Sequence, residues 1–342
     1  MGMTNPPLRT TTKLPLIRLS LCIPFLLELE KRHIDANAVL SSNGLSREAM
    51  YDDEVFVPAI VVHRFLEAAA DAAQDSYLGV FIGENLEYSA WAPFRDAVTN
   101  SKFLLDFLTR FIRVASQDAS SAKHSLEIRN DYALFKETRV GAPEIAPSQN
   151  DAFTLAYVLN IIRRGSGDKW DPRQVFATVC TPEVIPDRYL GVTITGGDRM
   201  GISIRFPSAW LHHTIDVSQF GILRKHTTSD AGPPPDFINA LRSTIALHLE
   251  EERLGVESIA RLISYSKQTL QRKLKSHGTT LSKEIASLKR DRAIELLVHS
   301  STPIWKIAES LGYSSQPSFT RAFKSWTNQT PREYRKKHQN EV

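Results

Sequence analysis

Two stretches of the chain carry side chains suited to nucleic-acid contact, and they are variants of one another. SYSKQTLQRKLK begins at Ser264, and GYSSQPSFTRAFK begins at Gly312, 48 positions later. Arginine can bind guanine O6 and N7, glutamine can bind adenine N6 and N7, and lysine, serine and threonine bind phosphates. The two stretches therefore predict one surface chemistry that occurs twice.

The first stretch predicts a short helix, a turn at Ser264-Tyr265, and a second helix that Ser266 caps. Leu270 and Leu274 lie one helical turn apart and would hold the second helix on the core. The outward side chains then comprise candidate base-reading residues, Gln268, Gln271 and Arg272, and candidate phosphate-binding residues, Lys267 and Lys275.

The second stretch repeats this organisation, with Gly312 at the end of the first helix and Ser314 or Ser315 as the cap. Phe319 and Phe323 are the predicted apolar anchors. The outward residues are Gln316, Thr320 and Arg321 for bases, with Ser318 and Lys324 for phosphates. A helical bundle with a solvated basic face is the alternative, but it does not require both copies to repeat the same turn and outward pattern.

The segment between the copies, LSKEIASLKRDRAIELLVHS, predicts one long amphipathic helix. At about 1.5 Å per residue it spans roughly 30 Å. Such a helix can set the two outward faces about 34 Å apart, the length of one DNA turn.

Charge divides unevenly along the chain. Residues 236–342 carry a net charge of +7 and residues 1–235 carry −3, which gives the total of +4. The run RKHTTSDAGPPPDF lies at this change, and its three consecutive prolines predict a semi-rigid linker. We therefore predict three parts: an N-terminal domain over 1–223, a linker over 224–236, and a DNA-binding domain over 237–342.

The N-terminal part combines helical and strand patterns. Apolar residues recur at helical spacing over 57–74, 101–115 and 151–165, and Gly165 is expected to end the last of these helices. HSLEIRND and YALFKETRV alternate like a hairpin, and three more strands are expected in QVFATVC, YLGVTIT and MGISIRF. The predicted fold is an α+β domain, with helices packed on a mostly antiparallel sheet, joined to an all-α C-terminal domain with two helix-turn-helix units.

No residue pattern predicts catalysis, a cofactor or a metal. His212 and His213 are adjacent rather than three or four apart, and no nucleophile elbow, phosphate loop or dinucleotide fingerprint occurs. Cys22 and Cys180 cannot form a disulfide framework and suggest a reducing compartment. Charges and Pro24 interrupt the apolar start of the chain, so we expect a cytoplasmic protein with no secretory signal and no membrane span.

These motifs resemble the AraC/XylS family of transcription regulators over about residues 236–337, including the closing signature GYSSQPSFTRAFKSWTNQTPREYR. The resemblance implies that Gln268, Gln271 and Arg272, and then Gln316, Thr320 and Arg321, match base-contacting positions. It also implies an activator that contacts RNA polymerase. The sequence departs from the family pattern at Ser264, Pro317 and Asn328.

The N-terminal region resembles the family subgroup with an arabinose-binding-type domain, which implies a small-molecule effector, a homodimer, or both. We expect an apolar effector cavity between helices and sheet, lined by Phe103, Phe107, Phe153, Tyr157 and Phe176, with Arg163 available to an anion. Ordinary core packing and a solvated arginine are the alternatives. Two other classes remain open: an enzyme tethered to DNA, and a nucleoid-type protein without sensing.

Overall fold

A computed structural model describes residues 14–88, 94–216, 220, 232–234, 236–252 and 254–338. The chain divides between Phe237 and Ile238 into two units. The predicted linker, residues 224–236, lies outside the described residues except at 232–234 and 236. Its role as a linker therefore stays a prediction.

The N-terminal unit contains eight helices within its described residues. Short 3-10 turns, such as Leu19–Cys22 and Ser208–His212, connect several of its elements. The helices are α1 (Ile23–Lys31), α2 (Ala36–Ser42), α3 (Arg47–Met50), α4 (Ala59–Ala73), α5 (Leu78–Glu84), α6 (Arg95–Asn100), α7 (Leu104–Asp118) and α8 (Ser148–Ser166).

Two sheets accompany these helices, and the strands are β1 (Leu16–Arg18), β2 (Phe56–Pro58), β3 (Ala122–Ile128), β4 (Tyr132–Arg139), β5 (Phe176–Val179), β6 (Thr193–Gly196) and β7 (Gly201–Pro207). Strands β1 and β2 form an antiparallel pair, and the other five form a sheet in the order β3-β4-β7-β5-β6. Only β5 and β6 pair in parallel, which confirms the mostly antiparallel α+β prediction. The predicted hairpin is β3-β4.

Helix α8 is the buried centre of the N-terminal unit, and α5 packs closely against it. A Cβ added at Gly79 would lie 2.5 Å from the Gln149 backbone oxygen, and one at Gly83 would lie 2.6 Å from the Phe153 backbone oxygen. Real Cβ atoms do not approach so closely. The two glycines, one turn apart on α5, therefore permit the helix backbones to touch.

Two predicted helix boundaries were wrong. Helix α7 begins at Leu104, because the Asp106 side chain accepts hydrogen bonds from the backbone of Lys102 and Phe103. Phe103 is the extended residue before the helix. Gly165 does not end α8 but lies buried inside it, where a Cβ would meet the Leu104 side chain at 2.7 Å.

The C-terminal unit is all-helical over its described residues, as predicted, and its elements are α9 (Phe237–Ala246), α10 (Val256–Leu262), α11 (Lys267–Ser276), α12 (Leu281–His299), α13 (Ile304–Ser310), α14 (Gln316–Thr327) and α15 (Pro331–His338). Helices α10-α11 and α13-α14 are the two helix-turn-helix units, and α12 is the connecting helix. One apolar cluster of the second unit joins α12, α13 and α14 through Leu297, Ile307 and Phe323.

Both helix-turn-helix units use the same backbone turn. In the first, Ser264 adopts a left-handed conformation with φ of 54°, and the Tyr265 N–H donates to the Ala260 carbonyl at 2.8 Å. In the second, Gly312 has φ of 67°, and the Tyr313 N–H donates to the Ala308 carbonyl at 3.0 Å. This pattern satisfies carbonyls at the end of a helix and reverses the chain.

Substitution at Gly312 should destabilise the C-terminal unit more than substitution at Gly278. Both residues have positive φ, so alanine at either costs about 1–2 kcal/mol of backbone energy. Only at Gly312 would the new Cβ also lie within 3 Å of three carbonyls, those of Leu249, Glu250 and Glu251, which adds about 1–3 kcal/mol. Urea unfolding of Gly312→Ala and Gly278→Ala measures the difference, and equal losses of stability would contradict this account of the turn.

Candidate nucleic-acid interface and N-terminal cavity

Helix α11 presents a polar face because two apolar residues fix its rotation. Leu270 and Leu274 are fully buried, as predicted. The Ser266 hydroxyl caps the helix by accepting the Thr269 backbone N–H at 3.1 Å, which confirms the predicted start. The predicted base-reading and phosphate-binding residues of this helix are all exposed: Lys267, Gln268, Gln271, Arg272 and Lys275.

Helix α14 repeats the arrangement with aromatic anchors. Phe319 and Phe323 are fully buried, and the cap is Ser315, whose hydroxyl accepts the Ser318 N–H at 3.4 Å. Gln316, Arg321 and Lys324 are exposed, whereas Ser318 and Thr320 are half-buried. The Arg321 guanidinium donates to the Ser318 hydroxyl at 3.3 Å, so these two side chains are already neighbours without DNA.

The anchors show how the two second helices correspond. The turn residues Ser264 and Gly312 are 48 positions apart, but the anchors Leu270 and Phe319 are 49 apart. The second turn therefore holds one extra residue. As a result, Arg321 is equivalent to Arg272, and Gln316 is equivalent to Lys267 at the first helical position rather than to Gln268, as the 48-residue offset suggested.

The side chains predicted to contact DNA differ in whether a neighbouring residue already pairs with them. Arg272 has no ion pair among the described residues, which leaves its guanidinium available to a base edge. Lys267 instead forms an exposed salt bridge of 2.9 Å with Glu257 on the preceding helix. Exposed pairs of this kind are weak, so DNA phosphate can compete for Lys267. The roles of all these side chains stay predictions.

The N-terminal unit contains a partly open cavity of about 80 Å³ among α1, α4, α7, α8 and the hairpin β3-β4. Phe153 and Tyr157, two residues of the predicted effector pocket, line it. Phe107 is buried elsewhere, and Arg163 is exposed at the end of α8. The polar part of the wall was not predicted, and its titratable or charged side chains include His63, Asp118, His124, Glu137 and Arg139.

The structure places Phe103 and Phe176 away from this cavity. Phe103 is 42% exposed, because it precedes α7 and does not share the apolar stripe of that helix. Phe176 is 44% exposed. Side chains alternate across a strand, and Ala177 and Val179 take the buried face of β5. The Arg205 guanidinium covers Phe176 at 5.6 Å from its ring centre.

The buried charges beside the cavity form one connected group. Arg139 makes ion pairs with Asp151 and, at 3.4 Å, with Glu137. His124 lies opposite Glu137 across the hairpin, with 3.3 Å between its Nε2 and Oε2 of Glu137. Burial raises the pKa of Glu137, but the His124 hydrogen bond and the Arg139 charge outweigh it and lower the pKa to about 2. Glu137 is therefore ionised at neutral pH.

Strand alternation contained a signal for this group. Ala133, Phe135, Glu137 and Arg139 share one buried face of β4. A glutamate and an arginine on an apolar face are unusual unless they are paired. The partners on other elements are far away in the sequence, so the alternation alone could not identify them.

Two capped helix-turn-helix units joined by one helix define a DNA-binding protein, and comparison with known families gives the same class. Residues 259–337 match the helix-turn-helix domain family, and residues 34–215, just over half of the chain, match the family described as the arabinose-binding domain of AraC transcription regulator, N-term. The chain belongs to the AraC family of transcription regulators, in the subgroup with this N-terminal domain.

Individual curated proteins match parts of the chain. The chain is 33% identical over 142 residues to the HTH-type transcriptional regulator VqsM of Pseudomonas aeruginosa, which covers 39% of this chain and 43% of VqsM. It is 36% identical over 86 residues to the multiple antibiotic resistance protein MarA of Escherichia coli, covering 25% of this chain and 68% of MarA. The chain thus spans less than half the length of VqsM.

A crystal structure of a transcriptional regulator from Chromobacterium violaceum, described as AraC-type, is 32% identical. It covers 30% of this chain and 90% of that one, with a TM-score of 0.28. Within the residues that the structure describes, no group of three or more histidine, cysteine or acidic side chains is arranged to hold a metal. The described helices all lack the length or the hydrophobicity that a membrane span requires.

The stability of the N-terminal unit should fall on mild acidification because of His63. Burial, with a smaller contribution from the Arg139 charge, lowers the pKa of His63 to about 3. The unfolded chain binds a proton below about pH 6.5 that the folded chain does not, so stability is complete above pH 6.5 and is lost progressively towards pH 3. At pH 5 the loss from this residue is about 2 kcal/mol.

Urea unfolding at pH 7.5 and pH 5 of the unmodified protein and of His63→Gln measures this contribution. The variant carries no titrating ring, so its stability should change less between the two pH values. His212→Gln, at an exposed histidine of the same unit, is the control and should keep the original pH dependence. An identical pH dependence in His63→Gln would show that the ring titrates normally in the folded protein.

Proposed function

We propose that this regulator binds double-stranded DNA by inserting α11 and α14 into two successive major-groove segments on one face of the duplex. The single observation that carries the proposal is the repeated geometry: each helix is capped by serine, anchored by two buried residues four apart, and exposes glutamine or arginine opposite the anchors. A solvated basic bundle has no reason to repeat all three features.

Base reading falls to the outward residues near the middle and the start of each helix. Arg272 and Arg321 occupy equivalent positions and offer bidentate donors suited to guanine. Gln271 and Gln268, together with Gln316, suit adenine, and Thr320 can contact either a base edge or a thymine methyl group. Pro317 replaces the glutamine position of the first helix, so α14 offers one base-reading side chain fewer there.

Phosphate binding falls to the flanking residues. Lys275 and Lys324 are equivalent, exposed, and one turn beyond Gln271 and Thr320. With Lys267 and Ser318 they would set the position and orientation of each helix without reading sequence. Helix α12 has 19 residues, which is about 28 Å of helix and close to the 34 Å repeat of DNA.

The base and phosphate roles predict opposite effects of two neighbouring substitutions. Arg272→Ala should cost about 1–3 kcal/mol of operator binding and relax the preference at one base pair. Lys275→Ala should weaken every duplex alike and reduce the slope of log K against log salt by about one. Fluorescence anisotropy on the operator, single-base variants and random DNA at several salt concentrations distinguishes them.

Arg321→Ala and Lys324→Ala are the equivalent substitutions in the second helix-turn-helix unit, and they should show the same contrast. If Arg272→Ala lost the same affinity on every sequence, the proposal that Arg272 reads a base would be wrong. A specificity ratio near one for the unmodified protein would instead indicate a nucleoid-type protein that binds DNA without sequence preference.

We extend the proposal to regulation through the N-terminal unit, on the support of the family to which the chain belongs. The unit would sense a small effector and hold two copies together, so that paired sites are bound, and the regulator would activate transcription in the cytoplasm through RNA polymerase. An effector can act only if its affinity differs between two states of the protein. The cavity supports the sensing role, because DNA binding by the C-terminal unit does not require a cavity in the N-terminal unit.

The dimer is tested by sedimentation velocity of the full chain with a duplex that carries two sites. We expect two protein copies per duplex, and a protein that already sediments as a dimer when free. A duplex with one site destroyed is the control and should bind with lower affinity, because the second copy loses its contacts. Strictly monomeric protein that occupies the two sites independently would rule out the dimer and leave the DNA-reading proposal intact.

A further inference from the structure

The wall of the N-terminal cavity concentrates unpaired polar atoms. Six buried side-chain nitrogen or oxygen atoms of the described residues lack a hydrogen-bond partner, and three of them belong to this one cavity: His63 Nδ1, Asp118 Oδ2 and His124 Nδ1. Native proteins leave few such atoms unpaired, because each costs about 1–3 kcal/mol. They converge from α4, α7 and β3 on one space, where a bound molecule could supply the missing partners.

Two of the three atoms, Asp118 Oδ2 and His63 Nδ1, are suited to accept hydrogen bonds. Glu137 is ionised and can only accept, so His124 Nε2 carries the hydrogen that lies between them. His63 is 3% exposed and neutral, and Nδ1 accepts when the hydrogen is on Nε2. Asp118 Oδ1 already accepts from Arg18 Nε at 2.7 Å, which leaves Oδ2 for another donor.

The charges around the cavity favour a cation. Among the described residues, the carboxyl groups of Asp118, Glu137 and Asp151 form their arginine ion pairs with two guanidinium groups, those of Arg18 and Arg139. The Cys22 thiol on the wall adds no charge, because burial raises its pKa to about 12. The rest of the wall is mainly apolar or aromatic, with Phe25, Val62, Leu66 and Phe153 among its residues, and it includes the neutral polar side chains of Ser121, Asn150 and Thr154.

We propose that this cavity binds a small aliphatic amine, whose ammonium group donates to the unpaired acceptors and whose hydrocarbon part packs against the phenylalanines. An ammonium group has three N–H donors and no acceptor, which matches the unpaired acceptors Asp118 Oδ2 and His63 Nδ1. A cavity of about 80 Å³ holds on the order of five to eight water-sized groups, which limits the ligand to about that many non-hydrogen atoms. The inference rests on the sensing role in the proposed function and names its ligand class.

Isothermal titration calorimetry of the full chain with three compounds of nearly equal size tests the class. We expect butan-1-amine to bind about tenfold or more tightly than butan-1-ol, because a hydrogen bond to a charged group is worth more than a neutral one. Butanoate, which brings a like charge, should not bind measurably. Tighter binding of butanoate, or binding by none of the three, would overturn the proposal.

Two variants locate the site. Asp118→Asn keeps the shape of the side chain and should weaken amine binding about tenfold or more, since it removes a charged acceptor. Asp96→Asn is the matched control: it breaks an arginine–aspartate pair on α6, away from the cavity, and should leave amine binding unchanged. Ala115→Leu adds volume at the cavity wall and should block the amine, while an unchanged circular-dichroism spectrum and a cooperative urea transition show that the N-terminal unit is folded. Unchanged amine binding in both cavity variants would place the amine elsewhere.

Operator affinity measured with and without saturating butan-1-amine separates this inference from the proposed function. Amine binding that the cavity variants abolish, without any change in operator affinity, would support the site and remove the sensing role. Sequence-selective DNA binding in a protein that binds no amine would keep the regulator proposal and refute the cavity proposal.

Discussion

Burial of two residues four positions apart is the constraint on which the DNA-facing surface depends. In α11 these are Leu270 and Leu274, and in α14 they are Phe319 and Phe323. Because residues four apart lie on one side of a helix, their burial fixes the rotation of the helix about its axis. The polar residues on the opposite side of each helix therefore face outward. The same constraint makes the arginines of the two helices equivalent although the loops before them differ in length.

The turn preceding each helix depends on a different constraint, the left-handed conformation of one residue. At Gly312 the backbone passes so close to three carbonyls that no side chain fits. At Ser264 the same conformation is held by a residue with a side chain, at some conformational cost. The first unit thus tolerates a substitution that the second cannot, because the contacts around the turn differ and not because the turn itself differs.

The two units differ in where they place their important polar side chains, which are exposed in the C-terminal unit and buried in the N-terminal unit. The C-terminal unit exposes the glutamines and arginines of its two second helices, such as Gln271, Arg272, Gln316 and Arg321, to solvent, where DNA can replace water. The N-terminal unit buries Arg139 with Glu137 and Asp151, and it leaves three polar atoms unpaired around a cavity. A buried pair that loses one partner is strongly destabilised, so this group constrains α8 and the hairpin β3-β4 to remain together. A binding site in such a setting is preorganised by the pairs that are already complete.

The sequence by itself determined the local features: the helix-turn-helix repeats, their serine caps, their buried anchors, and the hairpin of β3 and β4. These depend on neighbours within a few residues, so periodicity and capping chemistry are sufficient to predict them. It also contained a partial signal for Glu137 and Arg139, through their place on the buried face of β4. The boundary of α7 was wrong by a few residues because Asp106, not the phenylalanine stripe, decides where that helix starts.

Only the tertiary structure decided which distant residues meet. His63, Asp118 and His124 are up to 61 positions apart, and nothing local relates them until α4, α7 and β3 enclose the same space. The contact of α5 with α8 likewise requires Gly79 and Gly83. The reason for these two glycines is apparent only in the structure, where the α8 backbone lies against them. Phe176 was misjudged for the same physical reason: hydrophobicity predicts burial on average, but the sheet has two faces, and only the register of β5 against its neighbours decides which residues face the core.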